Sequence, residues 1–392
     1  MGLFDTRPKE RRSEFYDRDT EISMLVESIK RKEWVALIGS RRIGKTSIVN
    51  VSLNETKDVL AFRLNLMRLS MEGIKKVYPL SSLLNLILEE SHRLIGSELP
   101  VSRFVNFLSK RLGVEIETIV NFDKIKIIPR LKRLNAVDIS LIVRELDEIA
   151  RGVGKTLVLV FDEVQEMFKV GGLNVGALFH DIYDWCKNTT VIIAGSAPGL
   201  VINMLDSLEY EAPFFGRYVR RIQLNRFSRE QSMEFLIRGF EENNIKISEE
   251  VIEHAVRMYD GVPGWLTSFG SEVSMSIKLT GHMPDASFFD TVFEKAIKEA
   301  EHDVKNFFRF SQSPQRYAAI ILALDRLGGK ASWSELKKSA SAILGEEIPG
   351  SRLTEMCKRL VDVAFLTKEA DSYIFPDPPT AKALVNIAKR IR

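Results

Sequence analysis

Five short strand-like segments recur along the first 230 residues, and stretches with the apolar spacing of amphipathic helices separate them. Continuous apolar runs are typical of strands buried on both faces of a sheet. Strands that alternate with helices predict a doubly wound parallel α/β domain. The fifth segment is short and carries charge, which suits an edge strand. The segments are Trp34–Ile38, Leu60–Leu66, Leu157–Phe161, Val191–Gly195 and Arg221–Leu224.

Helical spacing dominates the rest of the chain. Residues 67–150 show mostly helical patterns broken by three prolines, which predicts a long helical insertion between the second and third strands. After residue 226 the strand patterns end, and three helical segments up to Leu279 predict a small helical lid. The sequence therefore predicts an α/β domain over residues 1–226, a lid over 227–313 and a third unit over 314–392.

The third unit has the element order of a winged helix. Three helical segments are followed by two short strand patterns that flank the turn at 368–372. The third helix carries Arg352, Lys358 and Arg359, but Glu355 and Asp362 are mixed among them. A helix that reads DNA usually has a more uniformly basic face. Binding of DNA and a purely regulatory or oligomerising role both stay open.

Composition indicates which partners and which cellular compartment to expect. The chain has 392 residues, ordinary hydrophobic content and a net charge of +3, which by itself does not indicate a nucleic-acid partner. It contains no uninterrupted apolar stretch of about 18 residues, so a membrane span is not expected. The first twelve residues are charged, and the two cysteines lie in apolar helical contexts. These features favour a cytoplasmic protein with reduced thiols.

Residues 39–46 match the phosphate-binding loop signature G-x-x-x-x-G-K-[ST]. Glycines let the backbone curl so that its N–H groups cradle phosphate oxygens at a helix N-terminus. A lysine at this position reaches the β- and γ-phosphates, and the next hydroxyl binds Mg²⁺. The predicted ligands are therefore ATP and Mg²⁺. The predicted nucleotide-binding residues are Gly39, Ser40, Arg41, Arg42, Ile43, Gly44, Lys45, Thr46 and Ser47, and Lys45 is also a catalytic candidate.

An acidic pair follows the strand Leu157–Phe161. In a parallel sheet the carboxyl ends of the strands meet at one edge, where ligands bind. Asp162 is therefore predicted to hold Mg²⁺ together with Thr46, and Glu163 to act as the general base for an attacking water. The alternative is a pair of acids that stabilises a helix N-terminus without taking part in chemistry.

Two further candidates lie beside the last two strands of the domain. Ser196, at the tip of Val191–Gly195, can reach the γ-phosphate or the attacking water, or it can simply cap a helix. Arg217, just before the last strand, is a candidate arginine finger that stabilises transition-state charge, or a structural arginine.

The order of these motifs resembles the archaeal ATPase group within the signal-transduction ATPases with numerous domains, which are relatives of the AAA+ and origin-recognition ATPases. The order runs from Phe15–Glu21 through the phosphate loop, the acidic pair, Gly195-Ser196 and Phe214-Phe215-Gly216-Arg217 to Gly261-Val262-Pro263. The resemblance implies an AAA+-like fold, and it implies that Pro263 lies near the adenine. The alternative for Pro263 is an ordinary helix start. The family's usual glycine is Asp17 here, and no lid arginine of the AAA+ sensor-2 type is evident.

Together these patterns predict a Mg²⁺-dependent ATPase switch with a winged-helix output that binds DNA or a protein partner. The alternative is a DNA-binding module that uses ATP as a structural ligand with little turnover. A metabolic kinase fits the helical lid and winged helix poorly. A homo-oligomer, in which Arg217 acts on a neighbouring copy, stays open.

Overall fold

A computed structural model gives the fold. It describes residues 2–70, 75–98, 106–107, 115–121, 124–130, 136–207, 214 and 216–391. The strands are β1 (Trp34–Ile38), β2 (Val59–Asn65), β3 (Glu115–Asn121), β4 (Lys124–Arg130), β5 (Thr156–Asp162), β6 (Thr189–Gly195), β7 (Val219–Gln223), β8 (Lys330–Ser332), β9 (Thr367–Glu369) and β10 (Ser372–Ile374).

The helices cover the faces of the central sheet and build the rest of the chain. They are α1 (Asp19–Lys30), α2 (Lys45–Glu55), α3 (Leu80–Glu98), α4 (Ala136–Gly152), α5 (Val175–Trp185), α6 (Pro198–Asp206), α7 (Arg229–Glu242), α8 (Glu249–Tyr259), α9 (Pro263–Thr280), α10 (Ala286–Phe310), α11 (Pro314–Arg326), α12 (Trp333–Leu344), α13 (Gly350–Asp362) and α14 (Pro378–Ile391).

The central sheet has five parallel strands in the order β2-β5-β6-β1-β7. Strands β1 and β6 are buried along their whole length, as their continuous apolar runs predict, and β7 lies at an edge. Because β6 lies between β1 and β5, the segments that follow these three strands meet along one edge of the sheet. This edge brings the phosphate loop, the acidic pair and Ser196 together.

The predicted helical insertion is only partly helical. Strands β3 and β4 pair as an antiparallel hairpin, with Glu115 opposite Arg130 and Asn121 opposite Lys124. The prediction is therefore wrong for these residues, because every second position carries isoleucine or valine over much of both segments, a pattern that favours strands. The predicted helices near Leu83 and Val137 are present as α3 and α4. The one predicted over 101–112 lies largely outside the described residues.

Helices α7 to α10 follow the sheet as the lid, and the winged helix comes next. Helices α11, α12 and α13 pack with a three-stranded antiparallel sheet in the order β8-β10-β9, which confirms the predicted winged helix. The lid and the winged helix share one continuous hydrophobic core, to which α10 and α14 contribute. The boundary at 313/314 therefore stays a prediction.

Two further features of the fold concern the apolarity of its helices and the state of its two cysteines. None of the helices in the described part of the chain combines the length and the apolarity that a membrane crossing requires. Cys186 and Cys357 are free and buried, and burial raises the pKa of both thiols to about 12. At neutral pH both sulfurs therefore stay protonated and unreactive.

Candidate functional site

A cavity of about 870 Å³ opens at the carboxyl edge of the central sheet, between the phosphate loop, the N-terminal segment and the lid. The structure brings most of the predicted site residues together on its wall. Those that line it are Arg41, Arg42, Ile43, Gly44, Lys45, Thr46, Ser47, Asp162, Glu163, Ser196 and Pro263.

The phosphate loop has the backbone that its glycines predict. Gly44 has φ +98°, a conformation that favours glycine, and α2 begins at the next residue. A Cβ on Gly39 would lie 2.9 Å from Cγ2 of Ile43, so a larger residue would force the loop apart. The buried Lys45 ammonium donates to the carbonyl oxygens of Gly39 and Ser40 at 2.9 and 2.7 Å. The loop is thus curled around its own lysine.

Thr46 and Asp162 form the second part of the site. The Thr46 hydroxyl donates to Oδ2 of Asp162 at 3.3 Å. Burial raises the pKa of Asp162, the charge of Glu163 raises it further, and the Lys45 ammonium opposes both. A hydroxyl and a carboxylate side by side are hard oxygen donors of the kind that Mg²⁺ prefers. The donor set therefore fits Mg²⁺.

Glu163 is held in place by its backbone and by three hydrogen bonds. Its φ of 57° lies in the left-handed region, which is uncommon for a residue with a side chain. Its Oε2 accepts from the Ser196 hydroxyl at 2.6 Å, from the Ser196 N–H at 3.1 Å, and from the Gln165 side-chain amide. Burial raises the pKa of Glu163, but these hydrogen bonds outweigh it, so the pKa lies below its usual value. The carboxylate is charged at neutral pH and can accept a proton.

Sequence analysis missed Gln165. A Cβ on Gly195 would lie 2.6 Å from its Oε1, so this glycine makes room for the amide. The only sequence signal is a polar residue two positions after the acidic pair. Gln165 is therefore a residue that positions Glu163, not a group that touches the cavity contents.

The lid side of the cavity contains Pro263 at the first turn of α9, with the aromatic side chains of Phe15 and Tyr259 also on the wall. Asp17, which replaces the usual family glycine, has φ 59°, in the left-handed region where glycine is favoured. Its carboxylate accepts from the Gln231 side chain at 3.0 Å. The N-terminal segment thus keeps a glycine-like turn without a glycine.

Arg217 lies away from this cavity. It precedes β7, whose first residue Val219 pairs with Trp34 at the start of β1, whereas the phosphate loop follows the end of β1. At about 3.3 Å per residue, five residues separate the two edges by about 13 Å or more. The guanidinium pairs with Asp184 at 2.9 Å and lies over the Tyr183 ring. In this structure Arg217 does not reach the site of its own chain, and a role in a neighbouring copy stays a prediction.

Comparison with known protein families identifies one match. The model of an ATPase domain found predominantly in Archaea matches residues 15–269, which include the phosphate loop, the acidic pair, Ser196 and Pro263. This chain belongs to that archaeal ATPase family. It is accordingly a nucleotide-binding ATPase, as its sequence predicts.

Solved structures agree with this assignment. The archaeal ATPase-family chain is 30% identical to the Walker-type ATPase PABY2304 of Pyrococcus abyssi, over 97% of this chain and 99% of that one, with a TM-score of 0.75. The ORC2 protein of Aeropyrum pernix, solved as ADPNP–ADP complexes, is 13% identical over 99% and 96% of the two chains, with a TM-score of 0.62. That second likeness shows the fold alone, which is AAA+-like. A search of curated proteins found no match.

The ATPase-family chain should bind nucleotide less tightly as the pH rises above 8. Burial lowers the pKa of Lys45 to about 8 in the free protein. Its ammonium is charged below that pH and attracts phosphate, but above it each binding event must first take up a proton. Affinity measured by calorimetry should be flat below pH 8 and fall by up to about tenfold per pH unit above it. Lys45→Arg should remove this slope, and an equal slope in that variant would contradict the assignment.

Proposed function

We propose that this ATPase is a Mg²⁺-dependent switch that hydrolyses ATP and passes its nucleotide state to the winged helix. The proposal rests on the contact between α6 and the winged helix. Ser196, which holds the Glu163 carboxylate, lies two residues before α6, and α6 packs against α13 of the winged helix. A change at the hydrolysis site therefore has a short physical route to α13.

The chemistry follows from the residues that line the cavity. Lys45 supplies positive charge for the β- and γ-phosphates, and Thr46 and Asp162 would hold Mg²⁺, which would neutralise phosphate charge. Glu163 takes the proton of a water whose oxygen forms a bond to the terminal phosphorus. The bond from that phosphorus to the bridging oxygen breaks, and ADP and phosphate leave. Ser196 fixes the direction of the Glu163 carboxylate during this step.

The contact between α6 and α13 is close enough to transmit a displacement. A Cβ on Gly199 would lie 2.5 Å from the Asp362 Cα, so only glycine permits this approach. The Asn203 side-chain amide donates to Oδ1 of Asp362 at 3.0 Å. The carboxyl end of α13 is thus seated on the helix that begins beside the hydrolysis site.

The output partner follows from the exposed side of α13. Its basic residues Lys358 and Arg359 are exposed, whereas Arg352 pairs with Glu355 at 2.7 Å. We propose that α13 binds DNA or a protein partner after it moves off α6. Filter binding at several salt concentrations separates the two, because phosphate contacts make DNA affinity fall steeply with salt.

The reduced, buried cysteines support a cytoplasmic location. A homo-oligomer would give Arg217 a neighbouring nucleotide site.

Gly199→Val tests the route from the site to the winged helix. The valine side chain would collide with Asp362, so α13 should leave α6. We expect amide hydrogen exchange in α13 to rise at least tenfold. Leu200→Val, at an exposed position of the same helix, is the matched control and should leave exchange unchanged. Unchanged exchange in Gly199→Val would show that α6 does not hold the winged helix.

A further inference from the structure

Two arginines of the phosphate loop are paired with carboxylates of the lid. Helix α10 carries Glu299 and Asp303, which are four residues apart and therefore lie on one face of the helix. Arg42 forms an ion pair with Glu299, and Arg41 forms one with Asp303. The lid helix thus neutralises two cations of the loop that surrounds the nucleotide phosphates.

Arg42 is fixed by several further contacts. Its guanidinium lies 3.9 Å from the centroid of the Trp265 ring, and its carbonyl oxygen accepts from the Gly264 N–H at 2.9 Å. A Cβ on Gly264 would lie 2.7 Å from Cβ of Arg42, so the loop and the lid touch closely here. Arg42 is therefore part of the packing between the loop and the lid.

Arg41 has fewer contacts with the lid than Arg42. Its side chain is 47% exposed, and Asp303 is the partner with which it forms an ion pair. Arg41 lies on the wall of the same cavity as Lys45 and Glu163. A terminal phosphate bound in the loop would therefore share this cavity with the Arg41 guanidinium.

The other arginines on the cavity wall, within the described part of the chain, have different roles. Arg7 pairs with Asp5 at 2.9 Å, and Arg18 donates to Glu21 at 3.2 Å and to the Asn225 carbonyl. Arg217 lies at the opposite edge of the sheet. Arg217 therefore does not reach this cavity within its own chain, and Arg41 is an arginine on the cavity wall that a phosphate can draw away from a lid carboxylate.

We propose that Arg41 stabilises the charge of the terminal phosphate from within the same chain, and that Asp303 competes with this phosphate for the guanidinium. The inference rests on the proposed function, because it needs a triphosphate in the loop. A triphosphate offers more negative charge than one carboxylate, so the guanidinium exchanges Asp303 for phosphate oxygens. This exchange removes one of the two ion pairs that tie α10 to the loop, and the Arg42–Glu299 pair keeps the lid attached.

Arg41→Gln tests the proposal, and Arg229→Gln is the control, because Arg229 also pairs with a carboxylate but is exposed and lies outside the cavity. Arg41→Gln should lower turnover by about 10³-fold, within the range measured for arginine fingers, and change ADP affinity by less than about threefold. It should also lose the tight binding of ADP with aluminium fluoride, which mimics the transferring phosphate. Arg229→Gln should keep the wild-type turnover and that tight binding. Wild-type binding of ADP with aluminium fluoride by Arg41→Gln, or equal losses in both variants, would contradict the proposal.

Asp303→Asn should strengthen the binding of ATP. Without its competing carboxylate, Arg41 is released, so ATP affinity should rise about three- to tenfold, and more at low salt than at high salt. A fall in affinity would show that Asp303 serves only to close the lid. If the wild-type chain neither binds nor hydrolyses ATP, the proposed function is wrong. If Arg41→Gln turns over ATP as the wild type does, only the proposal for Arg41 is wrong.

Discussion

Lys45→Ala should weaken binding of ATP by at least about 100-fold, and binding of ADP, which lacks the γ-phosphate, by a smaller factor. The ammonium is the buried cation of the loop, and hydrogen bonds to charged groups contribute about 1.5–3 kcal/mol each, so the loss of two phosphate contacts accounts for this factor. The alanine also leaves the carbonyl oxygens of Gly39 and Ser40 without their lysine donor, at a cost that the removal of a buried amine offsets in part. We therefore expect the melting temperature to change by only a few degrees.

Calorimetric titration with each nucleotide, beside a thermal melt, measures both effects. Lys57→Ala is the matched control, because Lys57 is an exposed lysine just beyond the far end of α2. It should bind as the wild type does. Unchanged ATP affinity in Lys45→Ala would remove the assignment of the loop to phosphate.

Glu163→Gln should keep nucleotide binding and lose turnover by about 10²- to 10⁴-fold, the usual effect of removing a general base. The glutamine oxygen can still accept from the Ser196 hydroxyl, and the left-handed backbone of residue 163 is unchanged. An amide, however, cannot take the proton of the attacking water. Asp162 and Thr46 keep their contact in this variant, so the Mg²⁺ dependence of binding should persist.

Single-turnover hydrolysis and equilibrium binding of ATP separate the two effects. Glu166→Gln is the control, because that buried carboxylate pairs with Lys169 and does not line the cavity. It should hydrolyse ATP at close to the wild-type rate. Wild-type turnover in Glu163→Gln would mean that Glu163 serves only the fold.

The sequence predicts the part of the site that depends on short motifs attached to strand ends. The phosphate loop, Asp162 and Ser196 follow buried apolar strands, and parallel strands necessarily bring such segments to one edge. The hairpin of β3 and β4 was missed because prolines and neighbouring helical patterns masked an alternation with a period of two. Within each of these two segments, apolar residues occupy every second position over much of the length.

The position of Arg217 relative to the site could not be predicted from a linear motif. Arg217 precedes a strand, so it lies at the opposite edge from residues that follow strands, and this direction is known only once β7 is placed parallel to β1. The partners of Arg41 and Arg42 are more than 250 positions away along the chain. No local pattern predicts which lid residues face the loop. The same holds for Gly199, whose need for glycine arises from the approach of Asp362.

The proposed switch requires the nucleotide state at Glu163 and Ser196 to reach the winged helix through α6. Amide hydrogen exchange of α6 and α13 tests it most directly, with ATP and Mg²⁺ on Glu163→Gln compared with ADP and Mg²⁺ on the wild type. Exchange in both helices should differ at least severalfold between the two states, whereas exchange in α1, which packs on the opposite face of the central sheet from α6, should stay the same. Equal exchange in α6 and α13 in both states, with nucleotide bound in each, would contradict it.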